Sequence, residues 1–173
     1  MSFASRDTLV VLDLLLSDCS THSSQTDVKL SRTGSWVLLP LVNPAQAPQA
    51  AEGAEQILFS VLAANGLTVT PAPQQQQPAD EFPLEDSQRL QQALQWARQR
   101  GDTYAITGSV EEWQYKSGLD GEPAVGITLR VIEPASGRIL WSASAARAGW
   151  SRESLAGAAQ TVLESLVADL PLQ

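Results

Sequence analysis

Alternation of apolar and polar residues predicts a β-meander in the second half of the chain. Between residues 125 and 132 the apolar side chains occupy every second position, which is typical of a strand with one buried face. Residues 103–115 are rich in β-branched and aromatic side chains, and residues 138–145 again place apolar residues on one face. Segments 116–123 and 133–137 contain the glycines and prolines of turns. The pattern therefore predicts three consecutive antiparallel strands.

The first half of the chain has the pattern of a βαβ unit. The continuous apolar run over residues 35–43 suits a strand that is buried on both faces. The apolar spacing between Ala50 and Leu62 is helical, and Asn65 with Gly66 can end that helix. Residues 67–70 then form a short second strand.

Two further helices complete the predicted fold. One begins at Asp86 or Ser87 and ends at Gly101. The other is expected to begin with Ser151 as its cap and to end before Pro171. The order β-α-β-α-β-β-β-α predicts an α/β (α+β) fold, in which a mixed sheet of about five strands ends in an antiparallel meander and about three helices flank it.

The amino-terminal segment resembles a secretory signal followed by a linker. Residues 1–19 contain a basic residue, an apolar run and then Cys19, the order found in bacterial lipoprotein signals, which makes Cys19 the predicted lipidation site. Asp13 and Asp18 depart from that pattern, because charge is costly in an apolar run and a small residue normally precedes the cysteine. The Ser/Thr-rich residues 20–34 predict a flexible linker, so the folded domain spans residues 35–173.

Composition and motifs argue against several classes of function. The net charge of −8 and only 11 scattered Lys and Arg residues disfavour nucleic-acid binding. One cysteine and one histidine, His22, offer neither an intrachain disulfide nor a metal-ligand set. Glu111 and Glu112 are neighbours in a predicted strand, so we expect them to point to opposite faces and not to share a site. The sequence predicts a protein that is not an enzyme and needs no cofactor.

Long segments of the meander resemble the PelC family, the outer-membrane lipoproteins of the Pel exopolysaccharide export system. The segments are residues 107–115 with 118–126, and residues 140–144 with 149–153. The resemblance extends from about Ser35 onward. The curli-secretion protein CsgG and the amino-terminal domain of TolB are more distant relatives that share the fold.

The PelC resemblance implies a palmitate-anchored protein on the periplasmic face of the outer membrane. It implies a dodecameric homo-oligomeric ring whose electronegative opening attracts a cationic amino-sugar polysaccharide and works with the outer-membrane β-barrel PelB. The acidic residues that this implies for the opening are Glu111, Glu112, Asp120 and Glu122. Which of them face the ring axis is left open. The alternative is a monomeric periplasmic scaffold or protein-binding lipoprotein of the TolB or CsgG type.

Trp150 has two interpretations. With Ser151 as the helix cap, Trp150 and Leu155 occupy the positions of a hydrophobic staple, and the residues alone favour that interpretation. The PelC resemblance implies instead that this tryptophan contacts the membrane, where an indole ring is favoured at the interface. We predict membrane contact and expect Gly149 to leave the loop free to present the ring outward.

Overall fold

The chain forms one six-stranded mixed sheet with three helices. The computed structural model describes residues 28–73, 85–117, 121–150 and 152–173, together with the backbone of residues 21–25. The strands are β1 (Thr21–Gln25), β2 (Trp36–Val42), β3 (Val69–Pro71), β4 (Tyr104–Tyr115), β5 (Pro123–Glu133) and β6 (Arg138–Ala148). The helices are α1 (Ala50–Ala64), α2 (Asp86–Arg100) and α3 (Leu155–Ala168). Cys19, Asp120 and Ser151 lie outside the described residues.

The strand order across the sheet is β1-β6-β5-β4-β2-β3. β2 is parallel to β3 and to β4, whereas β4, β5, β6 and β1 pair with one another antiparallel. This confirms the α/β fold with a mixed sheet, a carboxy-terminal meander and three helices.

Helices cover both faces of the sheet around β2. α1 and α3 pack on one face, over the main core, which includes Leu41, Leu58 and Trp141. α2 packs on the other face, where Val37 and Leu39 of β2 meet the small side chains of the helix. β2 is buried on both faces, which explains its continuous apolar run.

The segment predicted as a linker is ordered at two places. β1 pairs with β6, with Thr21 opposite Ala146, and Leu30 is completely buried. The backbone N–H of Leu30 donates to the carbonyl of Pro171 at 2.9 Å, and its carbonyl accepts the N–H of Gln173 at 2.9 Å. The prediction of a flexible linker is wrong for these residues. A polar edge strand is held by its backbone, and a single buried leucine has no periodicity to detect.

α3 begins later than the sequence predicts. Its N-cap is Ser154, whose hydroxyl accepts the N–H of Gly157 at 3.0 Å, and its first residue is Leu155. The expected cap at Ser151 is therefore wrong, because Ser154 offers the same side-chain oxygen directly before the helix. With the cap moved, Trp150 and Leu155 no longer occupy the two positions of a hydrophobic staple.

Candidate functional site

The candidate functional residues lie on a part of the meander that extends beyond β2. The pairing of β2 with β4 ends at Ser109, whereas β4 and β5 remain paired as far as Tyr115 and Pro123. We name this extension, formed by residues 110–115, 123–127 and 145–148, the arm. Its six β4 residues reach about 20 Å beyond the last paired residue of β2, at the usual rise of a strand.

β4 carries a β-bulge at Glu111. Val110 lies opposite Ile127 and Glu112 lies opposite Gly126, so Glu111 has no partner of its own in β5. The extra residue changes the face on which the following side chains lie. Trp113 consequently packs against the main core, on the side of α1 and α3.

The bulge places the side chains of Glu111 and Glu112 on the same face of the arm, away from α1 and α3. The Glu111 carboxylate accepts a hydrogen bond from the hydroxyl of Ser109, two residues earlier on that face. The Cβ of Glu112 lies 3.5 Å from the position that a Cβ on Gly126 would take, and its carboxylate accepts the amide of Gln114 at 3.0 Å. The expectation that the two carboxylates point to opposite faces is therefore wrong. Together they form an acidic surface on the arm.

Glu122 lies at the turn that closes the arm. Its side chain is exposed, and its carbonyl accepts the backbone N–H of Lys116 at 2.8 Å. The structure thus brings Glu111 and Glu112 together in β4 and places Glu122 at the β4–β5 turn. The role predicted for Asp120 stays a prediction.

Trp150 projects from a turn whose backbone is fixed. The N–H of Gly149 donates to the carbonyl of Pro123 at 2.7 Å, and the N–H of Trp150 donates to the carboxylate of Glu153 at 3.3 Å. Arg147 forms an ion pair with the same carboxylate at 3.6 Å. The Trp150 side chain nevertheless remains 66% exposed, which is the opposite of a staple.

Gly149 is required here for close approach and not for a free loop. A Cβ at this position would collide with the Glu153 carboxylate and would lie 2.8 Å from the Pro123 ring. The glycine therefore lets the end of β6 pack tightly against Pro123, so the turn is held in place. The expected freedom of the loop is wrong, although the ring does point outward.

Sequence reasoning did not single out Tyr115, which lies beside this turn. Tyr115 ends β4 opposite Pro123, its ring is 52% exposed, and its hydroxyl accepts the N–H of Leu155 at 3.3 Å. The signal in the sequence is an aromatic residue at the last position of a strand, next to a polar turn. Tyr115, Pro123, Gly149 and Trp150 form what we name the tip of the arm.

The arm offers carboxylates and exposed aromatic rings. Within the described ranges, no group of three or more His, Cys, Asp or Glu side chains could hold a metal ion. In the same part of the chain, no helix has the length and apolar character needed to cross a membrane.

Comparison with solved structures identifies similar proteins. The PelC dodecamer of Paraburkholderia phytofirmans is 32% identical, covers 89% of this chain and 99% of its own, and superposes with a TM-score of 0.73. A variant of the same protein in a second crystal form gives the same values. The lipoprotein GNA1162 of Neisseria meningitidis shares the fold, with 17% identity, coverage of 78% and 96%, and a TM-score of 0.58. No family model and no curated protein matches the sequence.

Proposed function

Because the chain belongs to the PelC family, we propose that it is a non-enzymatic outer-membrane lipoprotein of Pel exopolysaccharide export. In this role it forms a periplasmic ring whose electronegative opening guides the cationic amino-sugar polymer to the porin PelB. The observation that carries the proposal is the 32% identity over 99% of a PelC chain that was solved as a dodecamer.

The ring is the first part of the proposal to test. Light scattering on the chain at micromolar concentration should give the mass of a closed oligomer that holds over a hundredfold dilution. A monomer throughout that range would favour the alternative, a monomeric periplasmic scaffold or protein-binding lipoprotein. A closed head-to-tail ring repeats each side chain around one axis, so its acidic residues add to a common field.

The acidic surface of Glu111 and Glu112 is the proposed contact for the polymer. The bulge puts both carboxylates on one face of the arm, and the ring would repeat the pair in every subunit. We expect Glu111→Gln with Glu112→Gln to weaken binding of partly deacetylated amino-sugar oligomers by roughly tenfold, or about 1.4 kcal/mol. The weakening should shrink as salt is raised, because the attraction is between exposed charges.

The matched control removes the same charge far from the arm. Glu164 lies in the second half of α3 and Asp169 directly follows that helix, and both side chains are exposed. Glu164→Gln with Asp169→Asn should leave oligomer binding unchanged. Equal losses in the two double variants would show that only net charge matters and would remove the specific role of the arm. Glu122→Gln and Asp120→Asn, tested singly, would then assign the predicted roles at the turn.

Membrane attachment is proposed to use Cys19 and Trp150. Labelling with a palmitate analogue should mark the chain but not the Cys19→Ser variant. If only an Asp18→Gly chain is labelled, the departure in the signal segment prevents processing. Trp150→Ala should leave the melting temperature unchanged, because the ring is exposed, and should weaken association with lipid vesicles.

A further inference from the structure

Exposed large hydrophobic side chains are concentrated at the tip of the arm. Across the residues that the structure describes, only Phe59, Tyr115, Ile139 and Trp150 combine a large apolar side chain with high exposure. Tyr115 and Trp150 lie at the tip, whereas Ile139 is the second residue of β6, at the opposite end of that strand. Two of the four therefore share one end of the molecule.

Tyr115 and Trp150 flank the same proline. Tyr115 pairs with Pro123 on one side, and Gly149 donates its N–H to the Pro123 carbonyl on the other. Two strand spacings separate β4 from β6, which puts the two aromatic residues about 10 Å apart at their backbones. The Tyr115 hydroxyl reaches Leu155, so the ring is directed toward the segment that follows Trp150. A planar surface that meets one ring can therefore meet the other.

The charges around the tip show no basic excess. Within three residues of the tip, the sequence has three basic residues, Lys116, Arg147 and Arg152, and four acidic ones, Glu112, Asp120, Glu122 and Glu153. Such a surface has no net attraction for anionic headgroups. The tip instead presents two amphipathic aromatic rings, and such side chains are favoured at the boundary between headgroups and hydrocarbon.

We infer that Tyr115 is a second membrane-contacting residue, which acts together with Trp150, and that the pair binds a phospholipid surface whatever its charge. The inference rests on the proposed membrane contact of Trp150. It adds a residue to that contact, and it identifies the kind of lipid surface that the contact takes.

The experiment measures flotation of the full chain, purified without lipid modification, with vesicles of pure phosphatidylcholine. Tyr115→Ala and Trp150→Ala should each lower the partition into vesicles by roughly tenfold, and the double variant should abolish it. Ile139→Ala is the matched control, because Ile139 is 54% exposed but lies away from the tip, and its partition should be unchanged. Adding anionic lipid or salt should change the partition little.

Tyr115→Phe separates ring insertion from the hydrogen bond to Leu155. It keeps the ring and removes the hydroxyl, so it should bind vesicles like the unaltered chain. If Tyr115→Phe loses as much binding as Tyr115→Ala, Tyr115 only positions the turn and the inference is overturned. Unchanged binding of Tyr115→Ala with weakened binding of Trp150→Ala also overturns it, and leaves the proposed function standing. Unchanged binding of both variants would instead remove the membrane contact itself.

A second measurement keeps Tyr115 and is available if Tyr115→Ala does not fold. Bimane attached to Lys116→Cys, an exposed position next to Tyr115, in a Cys19→Ser chain should shift its emission to the blue on phosphatidylcholine vesicles, whereas bimane at Ile139→Cys should not. Equal emission with and without vesicles at both positions would contradict the inference.

Discussion

Replacing Arg89 with methionine should destabilise the domain, and the loss should grow as the pH rises. Arg89 lies in the first turns of α2 and contacts three carboxylates, those of Asp86 at 3.2 Å, Glu52 at 3.8 Å and Glu55 at 4.0 Å. Glu52 and Glu55 belong to α1, so the guanidinium joins the two helices that pack on opposite faces of the sheet. Glu55 also accepts the backbone N–H of Leu41 at 2.8 Å, at the end of β2.

Glu55 is the carboxylate that makes this network costly to disturb. Its side chain is 12% exposed, and burial raises its pKa above the ordinary value of 4.5. The N–H of Leu41 and the charge of Arg89 oppose that rise in pKa, whereas the nearby carboxylates of Glu52 and Asp86 add to it. Removing Arg89 leaves a buried carboxylate without this cation. We expect a loss of about 2 kcal/mol at neutral pH, since the half-exposed contact to Glu52 contributes little.

The sign of the pH dependence follows from the direction of the pKa shift. A carboxyl group whose pKa is raised on folding binds its proton more tightly in the folded state. Stability therefore falls as the pH rises from 4.5 through the folded pKa of Glu55. Without Arg89 that pKa rises further, so the fall continues to higher pH. The gap between the unaltered chain and Arg89→Met should be small near pH 4 and full at neutral pH.

Urea denaturation of the two chains at several pH values measures this gap. Arg89→Met combined with Glu55→Gln should recover part of the loss at neutral pH, because the amide is uncharged and its oxygen still accepts the Leu41 N–H. At neutral pH the Arg89→Met melting temperature should fall by about 4–8 °C. A gap that is the same at pH 4 and pH 7.5, or a double variant no better than the single one, would refute the reasoning.

Three further predictions concern single residues, and urea denaturation checks each of them. Gly108→Ala should prevent folding, because a Cβ there would collide with the carbonyl oxygen of Thr128. Gly53→Ala should instead stabilise α1 by about 0.5–1 kcal/mol, since a Cβ there has room and alanine favours a helix. A folded, stable Gly108→Ala chain would contradict the first prediction. Ser154→Ala should lower the free energy of unfolding by about 1 kcal/mol through loss of the N-cap. Ser165→Ala, at an exposed position on α3, should lower it much less, and equal losses would mean that the cap contributes nothing.

Most of the fold can be predicted from the sequence, because most strands and helices bury one face or both. β2, β5 and the helices each carry an apolar pattern that has the period of their structure. β1 has no such pattern, because its Thr-His-Ser-Ser-Gln sequence is polar, and only the backbone pairing with β6 identifies it as a strand. Leu30 is a single apolar residue, and its burial depends on the distant carboxy-terminal residues.

The sequence identifies candidate residues for the site but does not predict how they are arranged. Whether Ser151 or Ser154 caps α3 depends on tertiary contacts, such as the bond from the Leu155 N–H to the Tyr115 hydroxyl, and both serines suit a cap. The bulge at Glu111 arises from the pairing of two distant strands, so simple alternation assigns Glu112 to the wrong face. Membrane contact by Trp150 stays a prediction, now with an exposed ring as its basis.

The register of β1 has a mechanical consequence. Thr21 lies beside Ala146 near the tip, and β1 runs antiparallel to β6 from there toward Ser142. A pull on the residues before Thr21, directed outward from the tip, would act along the strand axis. The β1–β6 hydrogen bonds would then be loaded together in shear and would not open one after another. If Cys19 carries the proposed lipid anchor, the anchor would transmit force to the sheet through these backbone bonds, so resistance to pulling would increase with the length of β1.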